Sequence, residues 1–116
     1  TTFVQHAAIV AIRDGEDFVK QTVEGYRQGR DLVYQRLSGM DRVHLPFPEA
    51  AFYAFFRVDG VEDSLELARK ILNETGVGLA PGAAFGQSGE GYLRLRFAAT
   101  PDILSSAMDR LEPILS

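Results

Sequence analysis

The sequence predicts an α+β fold, a small sheet with helices packed on one face, and three observations carry that reading. Between Tyr92 and Phe97 the residues alternate, so Leu93, Leu95 and Phe97 share one face of a strand and Tyr92, Arg94 and Arg96 the other. Ala51 to Val58 is a second strand candidate, with aromatic residues on both faces. Segments with three- and four-residue apolar spacing precede, separate and follow these strands. Strands parted by a helix and by a glycine-rich loop form a layer that helices cover, in the order α-α-(β)-β-α-β-β-α.

Composition bounds the possibilities. At 116 residues with 46% apolar content, the chain reads as one domain, residues 1–116, with enough apolar material for a core. A formal charge of −4 without a basic run argues against nucleic acid or an anionic membrane as partner. No stretch approaches the ~20 apolar residues of a membrane-spanning helix. The lack of cysteine leaves no disulfide framework and fits a cytoplasmic protein. At the N-terminus no charged segment leads into an apolar core of the signal-peptide kind. The chain starts in helix-like sequence without an initiator Met, and is therefore expected to be a piece of a longer one.

In chain order, Phe3 to Arg13 carries apolar residues around most of a helix and predicts a mostly buried one. Asp14-Gly15 ends it, with Asp14 placed to cap the next helix and Glu16 and Asp17 in that helix's first turn. From Glu16 to about Ser38 the stripe Val19, Val23, Tyr26, Arg30, Val33 and Leu37 predicts a long helix. Gly25 and Gly29 inside it each cost about 1 kcal/mol relative to Ala, and their spacing reads as tightening against a neighbour. Gly39 to Pro48 is a connector with room for a short strand at Val43–Leu45. The strand Ala51–Val58, apolar on both faces, calls for a cover on each side; the second cover is expected from outside these residues.

Asp63 or Ser64 then caps a helix with the stripe Leu67, Ala68, Ile71 and Leu72, and Gly76 supplies its C-terminal stop. Strand, glycine-rich loop and strand occupy Gly76 to Ala98. Thr100-Pro101-Asp102 opens the last helix, with Ile103, Leu104, Ala107, Met108, Leu111 and Leu115 as its apolar face, and Pro113 is expected to end or kink it near Glu112.

Few residues offer chemistry. Phosphate-binding glycine loops open a helix, whose N-terminal N–H groups hold the anion; this loop opens a strand. Ser88 lacks the spacing of a nucleophile elbow. His6 and His44 are isolated and no cysteine joins them, so no metal site is expected, and His6 reads as a packed, hydrogen-bonded histidine. Asp14, Glu16 and Asp17 follow helix-start preference. Lys20 and Lys70 fall on polar helix faces without the burial or cationic neighbours that activate an imine-forming lysine. Arg94 and Arg96 remain. A guanidinium grips a carboxylate through two parallel hydrogen bonds, but alternation alone favours a solvated strand face over a ligand site.

The motifs go further. Gly76-Val77, Pro81-Gly82 and Phe85-Gly86, followed by Gly91-Tyr92-Leu93-Arg94-Leu95-Arg96-Phe97-Ala98, resemble the C-terminal part of the class I and II, fold-type-I pyridoxal-phosphate aminotransferases, the aspartate, aromatic and alanine group. There the pattern is roughly G-V-x-x-x-P-G-x-x-F-G, a spacer, then G-x-x-R-[LI]-x-[FY]-A. Pro48 to Tyr53 is similar to the family's P-x-G-A-F-Y, Gln5-His6-Ala7-Ala8 to its Q-x-A-A, and Arg30-Asp31 to its R-R-D. Essentially the whole chain is covered in the right order. It departs at Ala50, where Gly is usual, at Gly29, where Arg is common, and at Arg96, where the residue is often small or polar.

The resemblance implies a small, mostly antiparallel sheet of the aminotransferase small-domain type, the C-terminal domain of a longer chain. It implies that Arg94 binds the substrate's α-carboxylate and that the Pro81-Gly82 loop with Phe85 belongs to a domain that closes on the substrate. The full-length protein would transfer an amino group between an amino acid and a 2-oxo acid with pyridoxal 5′-phosphate, as a homodimer. The catalytic lysine and the cofactor-binding residues lie upstream in the family, so these residues alone would bind no cofactor and be inactive. Apart from the resemblance, the alternative is a free-standing α+β module that binds a small acid or dimerises without catalysis.

Overall fold

The computed structural model describes residues 1–116. Four helices, α1 (Thr2–Asp14), α2 (Glu16–Leu37), α3 (Ser64–Thr75) and α4 (Pro101–Leu115), accompany four strands, β1 (Val43–His44), β2 (Tyr53–Val58), β3 (Ala80–Pro81) and β4 (Tyr92–Arg96). The strands form one sheet in the order β1-β2-β4-β3, and every pairing is antiparallel.

The sheet is organised by the alternation read from the sequence. Ala54, Phe56 and Val58 of β2 and Leu93 and Leu95 of β4, followed by Phe97, are buried and face α2, α3 and α4. Val33 and Leu37 of α2, Ala68 and Ile71 of α3, and Leu104, Met108, Leu111 and Leu115 of α4 complete this core. At ~25 cal/mol per Å² of apolar area removed from water, each fully buried Leu or Phe contributes about 1.5–3 kcal/mol. The opposite face of the sheet carries Tyr53, Phe55, Tyr92 and Arg94, all only partly covered. Helices therefore lie on one face only.

Local choices explain the boundaries. Asp63 caps α3, its side chain accepting from the Glu66 N–H at 2.8 Å, and Gly76 ends the helix in the left-handed region at φ 72. At Gly29 the α2 backbone lies so close to β4's end that a Cβ would overlap the Phe97 carbonyl oxygen, whereas Gly25 meets nothing within 4 Å. The tightening is real at one glycine and absent at the other. Ala51 holds φ 62, costing about 1–2 kcal/mol for a residue with a Cβ. That turn delays the start of β2 to Tyr53.

Several expectations are corrected. Helix α1 forms but buries nothing: Phe3 is 75% and Ile12 87% exposed, because no element of these 116 residues packs over it. The first half of α2 is likewise open at Val19 and Val23, and Leu72 of α3 is half exposed. Asp14 does not cap α2; Arg13 captures its carboxylate at 2.7 Å, and Gly15 occupies the cap position. The Thr100 side chain makes no capping bond. Pro113 does not stop α4, which continues to Leu115; burial of Leu115 and a Ser116 N–H to Glu112 carbonyl bond at 3.0 Å hold the last turn. The strand before the glycine-rich loop shrinks to Ala80–Pro81, and the loop itself folds into two short 3-10 turns, Gly82–Phe85 and Gln87–Gly89.

Candidate functional site

Arg94 stands at the middle of the open sheet face. Its register neighbours are Phe55 on β2 and Ala80 on β3, so strands flank it on both sides. The guanidinium lies over two rings, with its Cζ 4.2 Å from the Tyr53 centroid and 4.1 Å from the Phe85 centroid. A planar cation over an aromatic face is attracted by the ring quadrupole. The two rings lie against the guanidinium, whose outer edge carries its N–H donors.

That edge has no partner within the chain. Arg30, Arg36 and Arg57 are each matched by carboxylates, Arg30 by Asp31 at 2.8 Å, Arg36 by Asp109 at 2.7 Å and Glu112 at 3.0 Å, and Arg57 by Asp59 at 2.8 Å. Arg94 pairs with none and makes no side-chain hydrogen bond, and no buried side-chain nitrogen or oxygen goes unsatisfied, so its unpaired N–H groups reach solvent. Arg94 is thus an unpaired, solvent-reaching cation on an inner strand of the sheet. Two charge-assisted hydrogen bonds to a carboxylate, each about 1.5–3 kcal/mol, are what such a group can supply.

The glycine-rich loop delivers Phe85 to this site. Gly82 and Gly89 approach so closely that a Cβ on either would overlap the other's backbone. A clasp at the start of α3 holds the same loop. The fully buried Ser64 accepts from the Ala83 N–H through its Oγ at 3.2 Å, while its own N–H donates to Glu90 Oε1 at 2.6 Å. Glu90 also accepts from the Gly91 N–H at 3.2 Å. Hydrogen bonds from Ser64, then from Gly91, hold the Glu90 carboxyl below the usual glutamate range. The N–H groups of Gly86, Gly89 and Glu90 donate to carbonyls within the loop itself. None of these N–H groups is left for a phosphate.

The remaining candidates fall elsewhere. Arg96 sits exposed at the end of β4 and lines a different cleft, of about 540 Å³, between the Gly76–Leu79 segment and α4. His44 bonds to Asp59 at 2.6 Å, and this bond, with Arg57 nearby, lowers the Asp59 pKa. His6 is exposed on α1 and makes no hydrogen bond, contrary to the expectation of a packed histidine. Lys20 pairs with Asp17 at 3.8 Å on α2, and Lys70 lies on α3, so both belong to the helical side of the sheet. No group of three or more metal-ligating side chains forms. Sequence reasoning assigned no role to Tyr53 or to the Ser64–Glu90 clasp. Tyr53 was visible as part of an alternating strand, but nothing in the sequence linked Ser64 to Glu90 across 26 positions.

Comparison with known proteins gives the family of the chain. Residues 1–111 match the model of the family described as aminotransferase class I and II. Aromatic-amino-acid aminotransferase 2 of Thermococcus litoralis is 39% identical over 117 residues, covering 98% of this chain and 30% of that protein. The LL-diaminopimelate aminotransferase of Nitratidesulfovibrio vulgaris is 40% identical over 109 residues, covering 93% and 28% respectively. Among solved structures, the aromatic aminotransferase of Pyrococcus horikoshii superposes with a TM-score of 0.88 at 36% identity, over 98% of this chain and 31% of that one. The alanine aminotransferase of Pyrococcus furiosus gives 0.90 at 29% identity, over 96% and 29%. The chain thus spans about 30% of the length of the curated relatives it matches. It belongs to the class I and II aminotransferase family.

Proposed function

We propose that residues 1–116 are the C-terminal small domain of a longer aminotransferase and that Arg94 binds the α-carboxylate of its substrates. The observation that carries this is the unpaired Arg94 guanidinium held between the Tyr53 and Phe85 rings on the helix-free face of the sheet. The full-length enzyme transfers an amino group between an amino acid and a 2-oxo acid using pyridoxal 5′-phosphate. Holding the carboxylate fixes the substrate's Cα relative to the reacting centre, and such positioning is a large part of the rate gain in reactions of this kind.

Pyridoxal phosphate itself belongs to other residues of that enzyme. The residues present here do not fit it: both lysines lie on the helical side of the sheet, away from Arg94, and the loop N–H groups of Ala83, Gly86, Gly89 and Glu90 are already hydrogen-bonded within the chain. The large domain of the same chain and the second subunit of a homodimer are the surfaces that α1 meets, which accounts for its exposed Phe3, Val4, Ile9, Val10 and Ile12. No helix is long and apolar enough to cross a membrane, in keeping with a cytoplasmic enzyme.

The test uses the full-length protein. It should be yellow as purified and convert amino acids to 2-oxo acids. Arg94→Ala should lower kcat/KM by roughly 10²–10⁴-fold, the loss of two charge-assisted hydrogen bonds. Unchanged activity in Arg94→Ala would remove the site assignment.

A further inference from the structure

We infer that Tyr53 and Phe85 are positioning residues, a two-ring clamp that fixes the plane of the Arg94 guanidinium and turns its N–H edge toward the incoming carboxylate. The inference rests on the carboxylate reading of Arg94. A free arginine samples many rotamers, and immobilising them on binding weakens affinity. An arginine already held pays that entropy before the substrate arrives.

Three features of the structure support a clamp over incidental packing. First, the two rings come from different elements, β2 and the glycine-rich loop, and both lie within 4.2 Å of the same Cζ. Second, each ring is itself backed. Phe52 lies 4.5 Å from Tyr53 and is supported in turn by Tyr26 of α2 at 5.4 Å. Phe55 meets Phe85 edge-on at 6.0 Å and stacks on Tyr92 at 4.9 Å with an interplanar angle of 11°. Third, the loop that carries Phe85 is pinned at its base by the Gly82–Gly89 contact and the Ser64–Glu90 bonds. Phe85 is nevertheless 48% exposed, so burial of its own surface does not explain its position.

The clamp acts on one charge only, which makes it separable from general stability. In the full-length enzyme, the inhibition constants of 3-phenylpropanoate and of its neutral amide, 3-phenylpropanamide, serve as non-reacting probes. Tyr53→Leu and Phe85→Leu should each weaken the acid by about three- to ten-fold, the range of one cation–π contact, and the amide by less than about two-fold. Tyr53→Phe and Phe85→Tyr keep a ring and should restore acid binding to within about two-fold. Equal weakening of acid and amide, or no weakening of the acid while Arg94→Ala abolishes its binding, overturns the clamp and leaves Arg94 in place. Unchanged acid binding in Arg94→Ala overturns the carboxylate reading, and the clamp with it.

Discussion

Alanine at Gly29 should destabilise the domain, while alanine at Gly25, one helical turn earlier, should stabilise it. Both positions lie within α2, where Gly→Ala gains about 1 kcal/mol of helix propensity. At Gly25 a Cβ meets nothing within 4 Å, so the gain stands. At Gly29 the new Cβ would overlap the Phe97 carbonyl oxygen and sit 3.1 Å from Leu104 Cδ1. That carbonyl accepts from the Ala99 N–H at 2.9 Å and belongs to the backbone, so it yields poorly. Overpacking costs about 1–3 kcal/mol, and an overlap with a backbone oxygen falls in the upper part of that range; subtracting the helix gain of about 1 kcal/mol leaves Gly29→Ala about 1–2 kcal/mol less stable than the parent. Urea unfolding of the 116-residue chain, followed by far-ultraviolet circular dichroism, should separate the two variants by roughly 1 M or more in midpoint at an m-value of about 1–3 kcal/mol/M. Midpoints that shift in the same direction would refute the close approach of α2 to the end of β4.

Ser64→Ala leaves the Ala83 N–H without its acceptor in a buried setting and should cost about 1–3 kcal/mol in the same assay. Glu90 carries a pH signature. Its pKa is lower folded than unfolded, so its stabilisation is present above the ordinary glutamate value of about 4.3 and is lost as pH falls through the lower folded value. The melting-temperature gap between the parent and Glu90→Ala should therefore be wide near pH 7 and shrink as the pH falls below the ordinary glutamate value; a gap independent of pH would count against the clasp. Removing residues 1–14 should leave the melting temperature of the 116-residue chain within about 2 °C, since α1 buries none of its residues, while reducing self-association seen by light scattering. A large drop in melting temperature would show that α1 supports this core.

What could be read from the sequence was decided by where each residue's partner lies. Apart from Leu72 and Ile103, which are exposed, the stripes of helices α3 and α4 and of strand β4 pack against elements of the same 116 residues, so periodicity alone placed them. The pattern of α1 is just as apolar, but its cover is not among these residues, and a helix read as buried is exposed. The uncharged aromatic run of β2 has the high β propensity that makes an exposed strand aggregate. The sheet order makes it an internal strand, paired on both sides, so the exposed apolar surface lies on α1. Alternation put Arg94 and Arg96 on one face but could not separate them. Resemblance singled out Arg94, and the register supplies a physical difference: β3 reaches Arg94 and stops short of Arg96. The rings over Arg94 were out of reach of any local rule, because Phe85 arrives through a loop whose fold depends on Ser64 and Glu90.

The most direct measurement is a crystal structure of the full-length enzyme with 3-phenylpropanoate bound. The carboxylate assignment to Arg94 requires both carboxylate oxygens within hydrogen-bonding distance of its N–H edge, with the Tyr53 and Phe85 rings still against the guanidinium. A carboxylate seated on Arg96 or on residues outside this domain, with Arg94 facing solvent, would contradict it.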